Sequence, residues 1–226
     1  MPTKPKTPVR RSESLSRERI VEASIALLDS LGETGLTFRA LSERLATGAG
    51  AIYWHIADKD DLLVAASDAT IAGVLAASAD ARSPEAKVRA MGLALFDAID
   101  RRPWLGSALA RAPGQLPVVR IMEGLGQQVI ALGVPPRARW ATTNALLSFI
   151  LGVGGQNAAN TAFATTREID REAFLGEMAG TWAALDAEAF PFTRSIASQL
   201  PRHDDRADFL AGLNLLLAGI QAQWPR

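Results

Sequence analysis

The stretch that decides the fold runs from residue 36 to residue 55, LTFRALSERLATGAGAIYWH. Thr37 can cap a short helix, FRALSERLA, in which Leu41 and Leu45 lie one turn apart while Arg39, Glu43 and Arg44 stay nearer solvent. TGAG interrupts that pattern, and AIYWHI follows as a compact, aromatic-rich segment. Two short helices joined around a glycine can form a helix-turn-helix, in which the first helix braces an exposed second one. The spacing predicts that this turn includes Gly48. Ala49 and Gly50 add little bulk at the start of the second helix and permit close backbone approach, while Tyr53, Trp54 and His55 offer contacts at its other end.

Upstream, SRERIVEASIALLDSLG over residues 16–32 carries Ser16 as a cap, apolar residues Ile20, Ala23, Leu27, Leu28 and Leu31 at helical spacing, and Gly32 as a stop. Downstream, Asp58 caps DKDDLLVAASDATIAGVLAAS, whose first turn is acidic, as suits a helix N-terminus. Further helices are expected near 84–101, 104–111, 117–132, 137–160, 168–186 and 206–222, separated by Pro, Gly and polar segments. No strand pattern competes with them. The fold class expected is all-α: a basic arm over 1–15, a small three-helix domain over 16–62, and a larger helical domain over 63–226 that includes most of the connecting fourth helix.

At 226 residues the chain is long enough to bury roughly 70% of its unfolded surface, so no covalent staple is needed. There are no cysteines, which excludes a disulfide framework, thiolate-ligated zinc or iron–sulfur centres, and a cysteine nucleophile. Only His55 and His203 are present, far apart in sequence, so no metal site and no cofactor is expected. The basic N-terminus is followed by no apolar core, and LLSFILGVGG is too short to cross a bilayer, which points to a cytoplasmic protein with no membrane partner. The 24 basic and 24 acidic residues cancel overall, yet residues 1–20 carry a net +4 and the remainder −4. An electropositive arm beside a near-neutral body attracts a polyanion without committing the whole chain to one. No Ser-His-Asp, Cys-His or acidic metal motif supports catalysis, so no enzyme is expected.

Residues 17–68 resemble the DNA-binding domain of the tetracycline-repressor (TetR) family of bacterial regulators. The resemblance is carried by the pattern from Arg19 to Leu31, by GLTFRALSERL from Gly35 to Leu45, by AIYWH, and by Lys59 just beyond it. It implies a homodimeric transcriptional repressor that binds a palindromic double-stranded DNA operator and is released by a small-molecule inducer. Arg39 then matches a base-reading position, suited to guanine O6 and N7. Tyr53 matches a phosphate contact, and Trp54 and His55 match either positioning or base-edge contacts. Lys59 matches a phosphate contact at the start of the fourth helix, and Thr37 combines capping with approach to the backbone. The run Gly48, Ala49, Gly50 and Ala51 offers fewer long polar side chains than a tetracycline-responsive recognition helix, so a different operator is expected. The histidine those members use for magnesium-bound tetracycline has no match, because His203 is the only histidine beyond His55.

In the larger domain, Phe96, Trp104, Met122, Trp140, Phe149 and Trp182 are candidates to line an apolar cavity, with Asn144 and Gln156 as orienting hydrogen-bonding groups, so a largely apolar inducer is expected. Ordinary core packing explains the same aromatics. On the last helix, Phe209, Leu213, Leu216, Leu217 and Ile220 have the spacing either of an intramolecular bundle or of a symmetric dimer interface. Two other functions fit less of the chain: a constitutive dimeric DNA-binding regulator without an inducer, and a helical small-molecule enzyme or carrier.

Overall fold

The computed structural model describes residues 15–77, 80–111 and 114–225. All but one residue of the expected basic arm lie outside them. Among the described residues the chain is helical without strands. The order is α1 (Arg17–Gly35), α2 (Phe38–Leu45), α3 (Ala49–Tyr53), α4 (Lys59–Ala77), α5 (Pro84–Arg101), α6 (Pro103–Arg111), α7 (Leu116–Ala131), α8 (Pro136–Thr166), α9 (Arg171–Ala183), α10 (Pro191–Ile196), a 3-10 turn (Ala197–Arg202) and α11 (Asp205–Gln223). Two compact units result, divided between Ala66 and Ser67. The division falls inside α4, four residues beyond the boundary expected from sequence.

In the first unit, Ser16 accepts a hydrogen bond from the Arg19 amide and starts α1. Ile20, Leu27 and Leu28 form the buried stripe of that helix. Gly32 sits at φ 65°, which breaks the regular helix and sends the chain toward Leu36. The side chains of Leu36, Leu41, Ile52, Ile56 and Leu62 are almost wholly excluded from solvent, so α2 and α3 are pinned to the unit by few but complete anchors. The turn between them includes Gly48, as the spacing predicts. Ala46, at φ 50° and ψ 47°, is the left-handed residue that ends α2, whereas Gly48 has φ −82° and caps α3. The bend is made where the α2 carbonyls must be satisfied: the Ala46 amide donates to Glu43 and the Thr47 amide to Ser42.

In the second unit, α5, α6 and α7 pack on the 31-residue α8. The helix passes through its glycine-rich segment as expected and runs on to Thr166, beyond the expected end near residue 160. Glycine weakens an exposed helix, but here it lets neighbours in. A Cβ on Gly106 of α6 would lie 3.6 Å from the Gly155 Cα of α8, and one on Gly154 would meet Ile99 at 3.4 Å. Close packing keeps the helix going. Both α10 and the 3-10 turn went unpredicted. Each is six residues long, and Phe190-Pro191-Phe192 starts the former while Pro201 interrupts the latter, so neither carries a readable apolar period.

Candidate nucleic-acid interface

The second helix of the helix-turn-helix is held from below and left open above. Ile52 and Ile56 are buried, while Tyr53, Trp54 and His55 between them are exposed. Trp54 is 88% exposed. So large an indole left in water is not core. Tyr53 stacks on Phe38 of α2 with ring centroids 4.3 Å apart and planes 14° from parallel, an arrangement that fixes the ring and leaves the phenol side open. Gly48, Ala49 and Gly50 are exposed and Ala51 half-buried, so the first turn of α3 presents mostly backbone and methyl groups.

Thr37 caps α2: its hydroxyl oxygen accepts from the Ala40 amide at 3.1 Å, and its own O–H stays available to donate. Arg39 is 90% exposed, and its Nε donates to Glu43 Oε1 at 3.0 Å. The solvent-facing position and the ion pair are both real, and neither occupies the whole guanidinium. Lys59 stands at the start of α4, as expected, and has a partner in its own unit. Its ammonium donates to the Glu33 carbonyl at 2.6 Å and ties the first residue of α4 to the end of α1. Two N–H groups remain for another acceptor.

The framework behind these residues rests on Arg17 and Asp61, which sequence reasoning did not single out as a pair. Arg17 Nη2 donates to Asp61 Oδ1 at 2.8 Å, and Nη1 donates to the His55 carbonyl. The other Asp61 oxygen accepts from the Ala57 amide at 3.1 Å. One arginine and one carboxylate thus hold the loop between α3 and α4 against the start of α1. The Arg17 hydrogen bond, helped by the Ala57 amide, keeps the Asp61 carboxyl below the usual aspartate range, and Asp61 in turn raises the Arg17 guanidinium. The 44-residue separation of the pair explains why no local pattern revealed it.

The pocket candidates of the second unit differ in their burial. Phe96 is buried with its ring centroid 4.7 Å from that of Phe209, and half-buried Phe149 stacks on Phe209 at 5.5 Å, so these two rings join α5, α8 and α11. Trp104 is buried on α6, while Met122 and Trp182 are half-buried on α7 and α9. Trp140, Asn144 and Gln156 are exposed on α8, with Trp140 70% accessible. His203 is engaged within its own chain, its ring nitrogens 2.7 Å from carboxylate oxygens of Asp205 and Asp208.

The interface candidates on α11 also divide. Phe209, Leu213, Leu217 and Ile220 are buried in their own chain, and Leu213 fits against Gly92, where an added Cβ would come within 2.7 Å of its Cδ2. Leu216 is half-buried and, with Ile220, borders a groove of about 470 Å³ between α8 and α11. The residue turned outward is Leu215, 75% exposed, beside Ala141, Ala145 and Gly219 on the same groove. The run LNLLLAGI is apolar on nearly every face, so spacing alone does not separate its inner from its outer leucines.

Comparison with known proteins agrees with this geometry. Residues 20–66 match the family described as bacterial regulatory proteins, tetR family. An HTH-type transcriptional regulator of Saccharopolyspora erythraea is 38% identical over 71 residues, which cover 31% of this chain and 30% of that protein. The tetracycline repressor protein class C of Escherichia coli is 40% identical over 57 residues, covering 25% and 26%. The chain thus spans less than a third of the length of these curated relatives. A solved structure extends the likeness much further. The transcriptional regulator SCO7222, a TetR from Streptomyces coelicolor, is 50% identical, covers 92% of this chain and 99% of its own, and superposes with a TM-score of 0.84. The S. coelicolor protein ActR shares the fold at 21% identity and a TM-score of 0.76. With an open recognition helix on a buttressed three-helix unit and a full-length relative at half identity, this chain belongs to the TetR family of bacterial transcriptional regulators.

Proposed function

We propose that this protein is a homodimeric repressor that binds a two-fold DNA operator through α2 and α3 and releases it when a small, largely apolar molecule binds the second unit. The observation that carries the DNA reading is the recognition helix itself: Trp54 and Tyr53 stand open to solvent on a helix whose buried side is fully anchored. Such exposure costs a free protein and is offset when a partner covers it. Arg39 supplies base discrimination, and Tyr53, Lys59 and the Thr37 hydroxyl supply phosphate contacts. His55 and Trp54 set the docking of the helix in the groove.

Dimerisation is supported by the groove between α8 and α11, where Leu215 and small residues leave an apolar surface that a second copy can fill by two-fold packing. Ligand response is supported by ActR, whose solved complexes contain actinorhodin and (S)-DNPA. A ligand acts only if it prefers one of two conformations that differ in operator affinity, so binding and release must be measured together. No catalytic step is needed in this scheme. Where the cell keeps its DNA, in the cytoplasm, is where such a protein works.

The test is selection of DNA from a random-sequence library by the purified full chain, followed by titration of the selected duplex over a range of salt concentrations. A two-fold motif bound far more tightly than scrambled DNA is expected, with affinity falling as salt rises. Recovery of no motif at any salt concentration defeats the proposal. Compounds that weaken operator binding while leaving the dimer intact identify the inducer class.

A further inference from the structure

The Arg39–Glu43 pair on α2 is an exposed ion pair four residues apart, of a kind that contributes little to helix stability. Its position is costly for a DNA-binding surface, since a carboxylate on the reading side opposes the field of the phosphates. What the carboxylate does to the arginine is specific. Glu43 Oε1 accepts from Nε alone, at 3.0 Å, and the outer edge of the guanidinium, with its four Nη hydrogens, has no partner among the described residues. A guanidinium is planar and rigid, so one bond at Nε sets the direction in which the outer fork points. That fork is the edge that can meet guanine O6 and N7 as a pair. The glutamate is itself 67% exposed and packs no core, so aiming Arg39 is the role its contacts support.

We infer that Glu43 is a positioning residue that presents the Arg39 guanidinium to a guanine and thereby sets base discrimination at that operator position. The inference rests on the reading of Arg39 as a base contact. A long side chain held in its bound direction loses less freedom on docking, and the expected advantage is about twofold to tenfold in discrimination.

The experiment uses the full-length protein and the selected operator, together with a set of duplexes changed one base pair at a time. Arg39→Ala first locates the base pair that Arg39 reads, as the position where discrimination collapses. Glu43→Ala is expected to lose about twofold to tenfold of discrimination at that base pair and at no other, while Glu43→Gln, whose amide oxygen still accepts from Nε, keeps most of it. The double variant is expected to discriminate no worse there than Arg39→Ala alone, because the two residues act through one contact. If Glu43→Ala instead tightens binding to every duplex equally and leaves discrimination intact, Glu43 is only a repulsive carboxylate and the inference fails. If Arg39→Ala weakens all duplexes alike, the base-contact reading fails and takes the inference with it.

Discussion

Leu215 and Leu213 are two residues apart on α11 and make opposite predictions. Leu215 is 75% exposed in the single chain, whereas Leu213 is completely buried against α5. Full burial of a leucine side chain is favourable by about 1.5–3 kcal/mol, so covering the exposed three-quarters of Leu215 in a dimer stabilises it by about 1–2 kcal/mol per protomer. Two-fold symmetry counts the contact twice, and Leu215→Ala should weaken dimerisation by about 2–4 kcal/mol, roughly 30- to 1000-fold in the dissociation constant. The folding of each protomer should hardly change. Leu213→Ala instead removes buried methyl groups from a filled core and should cost about 2–5 kcal/mol of folding stability. Sedimentation velocity over a dilution series reads the first effect, and urea unfolding followed by circular dichroism reads the second. A Leu215→Ala protein that dimerises as tightly as the parent would refute the reasoning, since the exposed leucine would then lie outside any interface.

Three further outcomes follow from the first unit. Ala46 holds a left-handed conformation that costs a residue with a Cβ about 1 kcal/mol, so Ala46→Gly should slow hydrogen exchange at the Thr47 amide, which donates to Ser42; faster exchange would count against the strain. Lys59→Ala should lower the affinity for operator and scrambled duplex alike and flatten the log–log salt dependence by about one contact, whereas an unchanged slope would leave Lys59 only its tie to Glu33. Asp61 has its carboxyl pKa lowered in the fold, so its contribution is present above the unfolded value near 4 and disappears as pH falls through the lower folded value. Both partners are partly exposed, so Asp61→Asn should cost about 0.5–1 kcal/mol at neutral pH and remove that part of the acid-induced loss. Parallel stability curves for parent and variant between pH 2 and pH 6 would show that the pair contributes nothing.

Several of these positions separate what is local from what is not. The caps at Ser16 and Thr37 and the buried stripe of α1 were legible because each depends on residues within a turn or two of one another. The turn was legible at Gly48, but its left-handed residue was not, because hydrogen bonding at the end of α2 forces that conformation on Ala46. The continuation of α8 from about residue 160 to Thr166 runs through TAFATT, which is largely exposed and has no apolar stripe to read. The glycines of α8, inside the expected helix, are contact points for α5 and α6.

By itself the sequence determined that this is an all-helical chain with a helix-turn-helix near its start, since helical periodicity, caps and the AIYWH segment are short-range signals. Tertiary structure alone decided which apolar side chains face inward. Phe96 and Phe149 close on Phe209, Leu213 lies under Gly92, and Leu215 and Trp140 are turned out to water. It also decided that Arg17 meets Asp61 across 44 residues and that Lys59 closes on Glu33. The physical reason is common to all of them. A helix that is apolar on every side has no inside until its neighbours are in place, and an ion pair between distant residues exists only once the chain has brought them together.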